Sequence, residues 1–72
     1  MRREAVDSSS LRSVGYCEDT AELEVEFASG ARYRYVGVPS EVHRALLAAP
    51  SKGTWFNREF KALGFAYERL AD

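Results

Sequence analysis

The side chains able to do chemistry are few in this chain, and they lie far apart along it. There is one histidine, His43, and one cysteine, Cys17. A general base at His43 needs a nucleophile or a partner acid within hydrogen-bond reach. No second His, Cys or carboxylate stands near it at metal-ligand spacing, so His43 reads as a helix residue turned partly to solvent. A lone cysteine excludes an internal disulfide and a Cys-based metal cluster, and free Cys usually packs as a small apolar side chain. The run Ser8-Ser9-Ser10 reads as a turn, because it lacks the pattern of a nucleophile elbow. Glu22, Glu24 and Glu26 cluster, but arginines face them in the pairing derived below, so they are expected to be ionised and solvated. No catalytic residue, metal site or cofactor emerges, and the chain reads as a non-catalytic module.

Two stretches suit binding instead. Tyr33-Arg34-Tyr35 places aromatic rings and a guanidinium on a strand, the kit with which small sheets stack unpaired bases. The competing reading makes both tyrosines core residues, each hydroxyl reaching a partner or the rim. The second stretch runs from Ser51 through Lys52, Gly53, Thr54, Trp55, Phe56 and Asn57 to Arg58. A glycine inside a first helical turn costs about 1 kcal/mol relative to alanine, which suggests close approach of another group, and free N–H groups beside Lys52 suit an anion such as phosphate. The competing reading is an ordinary helix start with Trp55 in the core. Together these stretches name Tyr33, Tyr35, Lys52, Trp55, Asn57, Arg58 and Lys61 as candidate nucleic-acid contacts.

The elements that must position these residues begin with a hairpin over Glu22–Val38. Leu23, Val25 and Phe27 alternate with Glu22, Glu24 and Glu26, and Ala31, Tyr33 and Tyr35 alternate with Arg32, Arg34 and Val36. A two-residue loop at Ser29-Gly30 would pair Phe27 with Arg32 and mix charge into the apolar face. A three-residue loop, Ala28-Ser29-Gly30, pairs Val25 with Tyr33, Leu23 with Tyr35, Glu26 with Arg32 and Glu24 with Arg34. It also puts Gly30 where the loop needs a left-handed residue. Upstream, Val14 and Tyr16 share a face while Leu11 is out of phase, which predicts a bulge in a strand over Leu11–Cys17. Glu18-Asp19 turns the chain back.

After Gly37, Pro39 suits the opening of a helix whose apolar stripe is Val42, Ala45, Leu46 and Ala49. Pro50 ends it. Ser51 is placed to cap a second helix with stripe Phe56, Phe60 and Leu63, and Gly64 stands where that helix stops. Phe65 and Tyr67 alternate with Ala66 and Glu68, giving a short further strand or an extended cap. The expected fold is α+β: an antiparallel meander of three strands, four if the tail pairs, packed against two C-terminal helices. Residues 1–72 form one domain.

A chain of 72 residues buries roughly 60% of its unfolded surface, so its core must use nearly every large apolar side chain. The 46% hydrophobic content and the Tyr, Phe and Trp residues argue against disorder. Charged residues follow Met1 at once and no apolar run approaches a leader or a membrane span, so a cytoplasmic protein without membrane attachment is expected. The net charge of −1 speaks against a generic nucleic-acid binder. Its distribution matters more: Glu18, Asp19, Glu22, Glu24 and Glu26 crowd one end, whereas Lys52, Arg58 and Lys61 stand against Glu59 alone near the other.

Val6-x-Ser8-Ser9, Val14-Gly15-Tyr16, Leu23-x-Val25-x-Phe27-x-x-Gly30, Tyr33-x-Tyr35, Gly37-Val38-Pro39 and Ser51-x-Gly53-x-x-Phe56-Asn57, in that order, make a specific set. The chain thereby resembles the KTSC domain, which occurs alone in small bacterial proteins and at the C-terminus of some lysyl-tRNA synthetases. The resemblance spans nearly the whole chain. It implies RNA as the favoured partner through that attachment, and carries over no catalytic residue or cofactor. The alternative is a protein-interaction or self-associating domain using an open sheet face or edge.

Overall fold

The computed structural model describes residues 3–5 and 10–70, and for residues 3–5 the backbone alone. The fold is α+β. Five strands, β1 (Arg3–Ala5), β2 (Leu11–Cys17), β3 (Glu22–Phe27), β4 (Arg32–Tyr35) and β5 (Tyr67–Arg69), form one antiparallel sheet in sequence order. Between β4 and β5 lie α1 (Ser40–Ala48) and α2 (Lys52–Trp55), the latter running on through a π-helical turn (Phe56–Phe60) and a 3-10 turn (Lys61–Leu63). The tail therefore pairs as a strand, and a further edge strand, β1, joins at the other side. The turn expected over Ser8–Ser10 lies outside the described residues except for Ser10.

The central hairpin has the register that the charge pattern predicts: Leu23 faces Tyr35, Glu24 Arg34, Val25 Tyr33 and Glu26 Arg32. Phe27 N–H donates to the Ala31 carbonyl at 2.9 Å and Gly30 N–H to the Phe27 carbonyl at 2.9 Å, closing the three-residue loop with Gly30 at φ 95°. The expected bulge lies between Leu11 and Ser13. The extra residue there brings Leu11 onto the apolar face with Val14, and Arg12 turns out to donate to the Ala28 carbonyl at 3.0 Å.

One face of the sheet meets the helices. Leu11, Val14, Leu23, Val25 and Tyr35 pack with Val38, Leu46, Phe56 and Phe60 into a single core, each of the larger side chains contributing about 1.5–3 kcal/mol on burial. The two helical stripes differ from expectation at one position each. Ala45 is exposed, leaving Val42, Leu46 and Ala49 as the buried side of α1. Leu63 is 54% exposed rather than buried. The reason is the π turn: Lys61 N–H donates to the Phe56 carbonyl, five residues back. The wider turn stacks Phe56 on Phe60 at 4.6 Å and rotates Leu63 off the stripe that 3.6-residue periodicity assigns it. Gly64, at φ 73°, then stops the helix in the left-handed conformation. Pro50 ends α1 by holding Ala49 extended.

Candidate functional site

The other face of the sheet is ionic. Arg34 lies across the strands between Glu24, at 3.2 Å, and Glu68, at 3.4 Å, while Arg12 reaches Glu26 at 3.6 Å and Ser13 donates to Glu26 at 3.2 Å. The glutamates expected to be solvated divide: Glu24 and Glu26 are held by arginines and largely covered, while Glu22 accepts from the Thr20 hydroxyl at 3.0 Å, and this surface offers little to a polyanion.

The helical side is different. A cleft of about 650 Å³ opens between the hairpin loop, the β4–β5 edge and the segment that follows the π turn. Tyr33 and Tyr67 form one wall, Phe60 and Phe65 the other, and Lys61 stands at the mouth. The rings brace one another edge to face, Tyr33 against Phe27 at 5.6 Å and against Tyr67 at 5.7 Å. Tyr35 lies at the floor, only 7% exposed, enclosed by Phe56 at 5.6 Å, Phe60 at 4.9 Å and Tyr67 at 5.3 Å. Burial, with Tyr67 and Tyr33 as neighbours, pushes its hydroxyl up to about 12. Lys61 Nζ sits 6.0 Å from the centre of the Phe56 ring.

The seven candidate contacts are consequently divided. Tyr33, Tyr35 and Lys61 meet in the aromatic cleft. Trp55 and Arg58 line a second, more apolar groove of about 290 Å³ with Pro50 and Thr54. Lys52 and Asn57 border neither, and Lys52 Nζ donates to the Ala49 carbonyl at 3.3 Å. Tyr35 is a core residue with its ring faces occupied, so it supports the cleft rather than presenting a stacking platform. Ser51 does not cap α2 with its side chain; its hydroxyl pairs with Thr54 at 3.0 Å. Sequence reasoning missed Phe65 and Tyr67 as site residues. Register places Arg69 directly across from Tyr33, on the cleft side of the sheet.

His43 is half-buried and stacks on Tyr16 at 4.6 Å, and the Tyr16 hydroxyl donates to the Val38 carbonyl at 2.6 Å. His43 thus clamps α1 to β2. Cys17 follows Tyr16 at the end of β2, so its side chain points to the opposite face of the strand; it is half-buried, and the Thr20 hydroxyl, aided by backbone N–H groups of Thr20 and Asp19, holds its thiol below the usual value. Among the described residues no three His, Cys, Asp or Glu side chains are grouped to hold a metal ion. Nor, among the described residues, is any helix long and apolar enough to cross a membrane.

The KTSC domain model matches residues 7–65. The chain belongs to the KTSC domain family. A KTSC domain protein of Yersinia pestis, solved by crystallography, superposes with a TM-score of 0.91 at 34% identity, over 97% of both chains. An uncharacterised protein of Stutzerimonas stutzeri is 54% identical over 70 residues, 97% of this chain and 99% of that protein. The lysine–tRNA ligase of Nostoc punctiforme is 38% identical over 65 residues. That match takes in 90% of this chain and 11% of the ligase. The KTSC unit is therefore found both as nearly a whole protein and as a small part of a large one.

Proposed function

We propose that this KTSC domain is a non-catalytic, cytoplasmic module that binds single-stranded RNA along its helical side. The observation that carries the reading is the division of charge and aromatic surface between the two sides of the fold. Glu24, Glu26 and Glu68 on the open sheet face are already held by Arg34 and Arg12, whereas Arg58 and Lys61 border aromatic surface on the helical side. Basic groups beside exposed rings are what sequence-tolerant binding of unpaired strands requires. The relative that joins lysine to tRNA supports RNA over DNA as the partner. Strand alternation turns Cys17 to the face opposite Tyr16 and its stacking partner His43, which supports the absence of catalysis, since covalent and acid–base chemistry need converging groups.

The test is a fluorescence titration of a labelled single-stranded RNA at several salt concentrations, for the parent and for the combined variant Lys52→Gln, Arg58→Gln, Lys61→Gln. Weaker binding with a flatter salt dependence and an unchanged fold is the expected result. Equal binding by the variant removes the helical side from the interface and sinks the reading. A second reading, association with another protein chain, is favoured by the uncovered sheet face, where the Glu24–Arg34–Glu68 row suits extension by a partner. Sedimentation of the purified domain decides whether that partner is a second copy.

A further inference from the structure

The aromatic cleft combines three features that together select a ligand. Its size, about 650 Å³, falls within the range of small-molecule sites. Its walls are rings, with Tyr67 the most open of them at 63% exposure. Its one charged lining residue among the described residues is Lys61, and Arg69 stands just outside the lining, across from Tyr33 on the same sheet face; neither makes an ion pair with a carboxylate among the described residues. Glu68, between Tyr67 and Arg69 in β5, lies on the opposite face, where it pairs with Arg34 at 3.4 Å. An aliphatic ligand would leave both cations idle, and an inorganic anion would leave the rings bare.

We infer that this cleft is a site for one unpaired nucleotide, the base lodged against Tyr67 and Tyr33 and its phosphate held between Lys61 and Arg69. Planar bases stack on aromatic side chains whatever their sequence, and the flanking phosphate supplies the anion that the two cations lack. The floor is fixed, with Tyr35 wedged against Phe56 and Phe60, so a ligand has chiefly the Tyr67 wall to order. The inference rests on the single-strand reading above but narrows it to one subsite, distinct from the Trp55–Arg58 groove.

Its test follows backbone amide resonances while adenosine monophosphate, adenosine, inorganic phosphate or an Asp/Glu-rich peptide is added. A labelled single-stranded RNA titration runs in parallel on the parent, Tyr67→Ala and Lys61→Gln. The monophosphate should shift amides of Ala31, Gly64 and Tyr67, adenosine should do so more weakly, and phosphate alone least. Tyr67→Ala should lower RNA affinity about tenfold, and Lys61→Gln should lower it without touching the core. RNA binding that survives both substitutions, with shifts confined to Trp55–Arg58, overturns the subsite and leaves the broader reading standing. Shifts at the cleft from the monophosphate without RNA binding keep the subsite and remove the RNA reading. A peptide that shifts the same amides as strongly as the monophosphate overturns the nucleotide assignment.

Discussion

Tyr35 shows how one hydroxyl ties the cleft to the core. In an unfolded chain a tyrosine titrates near ~10, whereas burial among Phe56, Phe60 and Tyr67 pushes Tyr35 up to about 12. The folded state therefore holds the proton more tightly than the unfolded one. Its contribution to stability is fully present below pH ~10 and is lost as the pH rises towards ~12, because ionising the phenol in place exposes charge to apolar surroundings. Denaturant melts across that window should show a steeper fall in stability for the parent than for Tyr35→Phe. Equal slopes would mean that the hydroxyl reaches water in the folded protein. His43 makes the complementary point. It was legible as a residue of α1 but not as a packing partner, because its stacking on Tyr16 joins a helix to a strand far away in sequence.

At the level of elements, the hairpin was readable because several independent signals agreed. Alternating carboxylates and arginines, the paired apolar positions and the glycine all require one register, and the structure has it. Gly30 gives the sharpest test. A Cβ added there meets nothing within 4 Å, so the substitution Gly30→Ala isolates the backbone cost of φ 95°. It should lower stability by about 1 kcal/mol, seen as a lower denaturation midpoint at unchanged slope. An unaltered midpoint would show that the loop takes another conformation. Where the reading failed, period was the cause: Leu63 belongs to the stripe at 3.6 residues per turn and leaves it once the π turn intervenes. Strand β1 escaped notice because three residues, Arg3-Glu4-Ala5, are too few to display an alternation. Phe65 and Tyr67 were missed as site residues because only the tertiary fold brings Phe65 to Phe60 and only the pairing of β5 with β4 brings Tyr67 to Tyr35 and Tyr33.

For the molecule as a whole, segregation of charge matters more than its sum. A net charge of −1 predicts no attraction to a polyanion, yet three carboxylates of the open sheet face, Glu24, Glu26 and Glu68, are held by arginines. If Lys52, Arg58 and Lys61 each neutralise a phosphate, their joint replacement by Gln should reduce the salt slope of RNA binding by about 2, at roughly 0.7 per contact on a single strand. The order of the sheet carries a further consequence, one of timing. Strands β1 to β4 each pair with their neighbour in sequence, whereas both helices intervene before β5 can reach β4. Closing that long loop costs chain entropy that the local hairpins avoid. Strand β5 is short and wholly exposed, so it should be the last element to dock and the first to detach. The amide of Leu70, bonded to the Arg32 carbonyl at 2.9 Å, should then exchange with deuterium well before those of Leu23 and Val25. Equal protection of the two would mean that the sheet opens only as a unit. Early release makes the cleft a transient structure, its Tyr67 wall leaving and returning many times within the lifetime of the folded core.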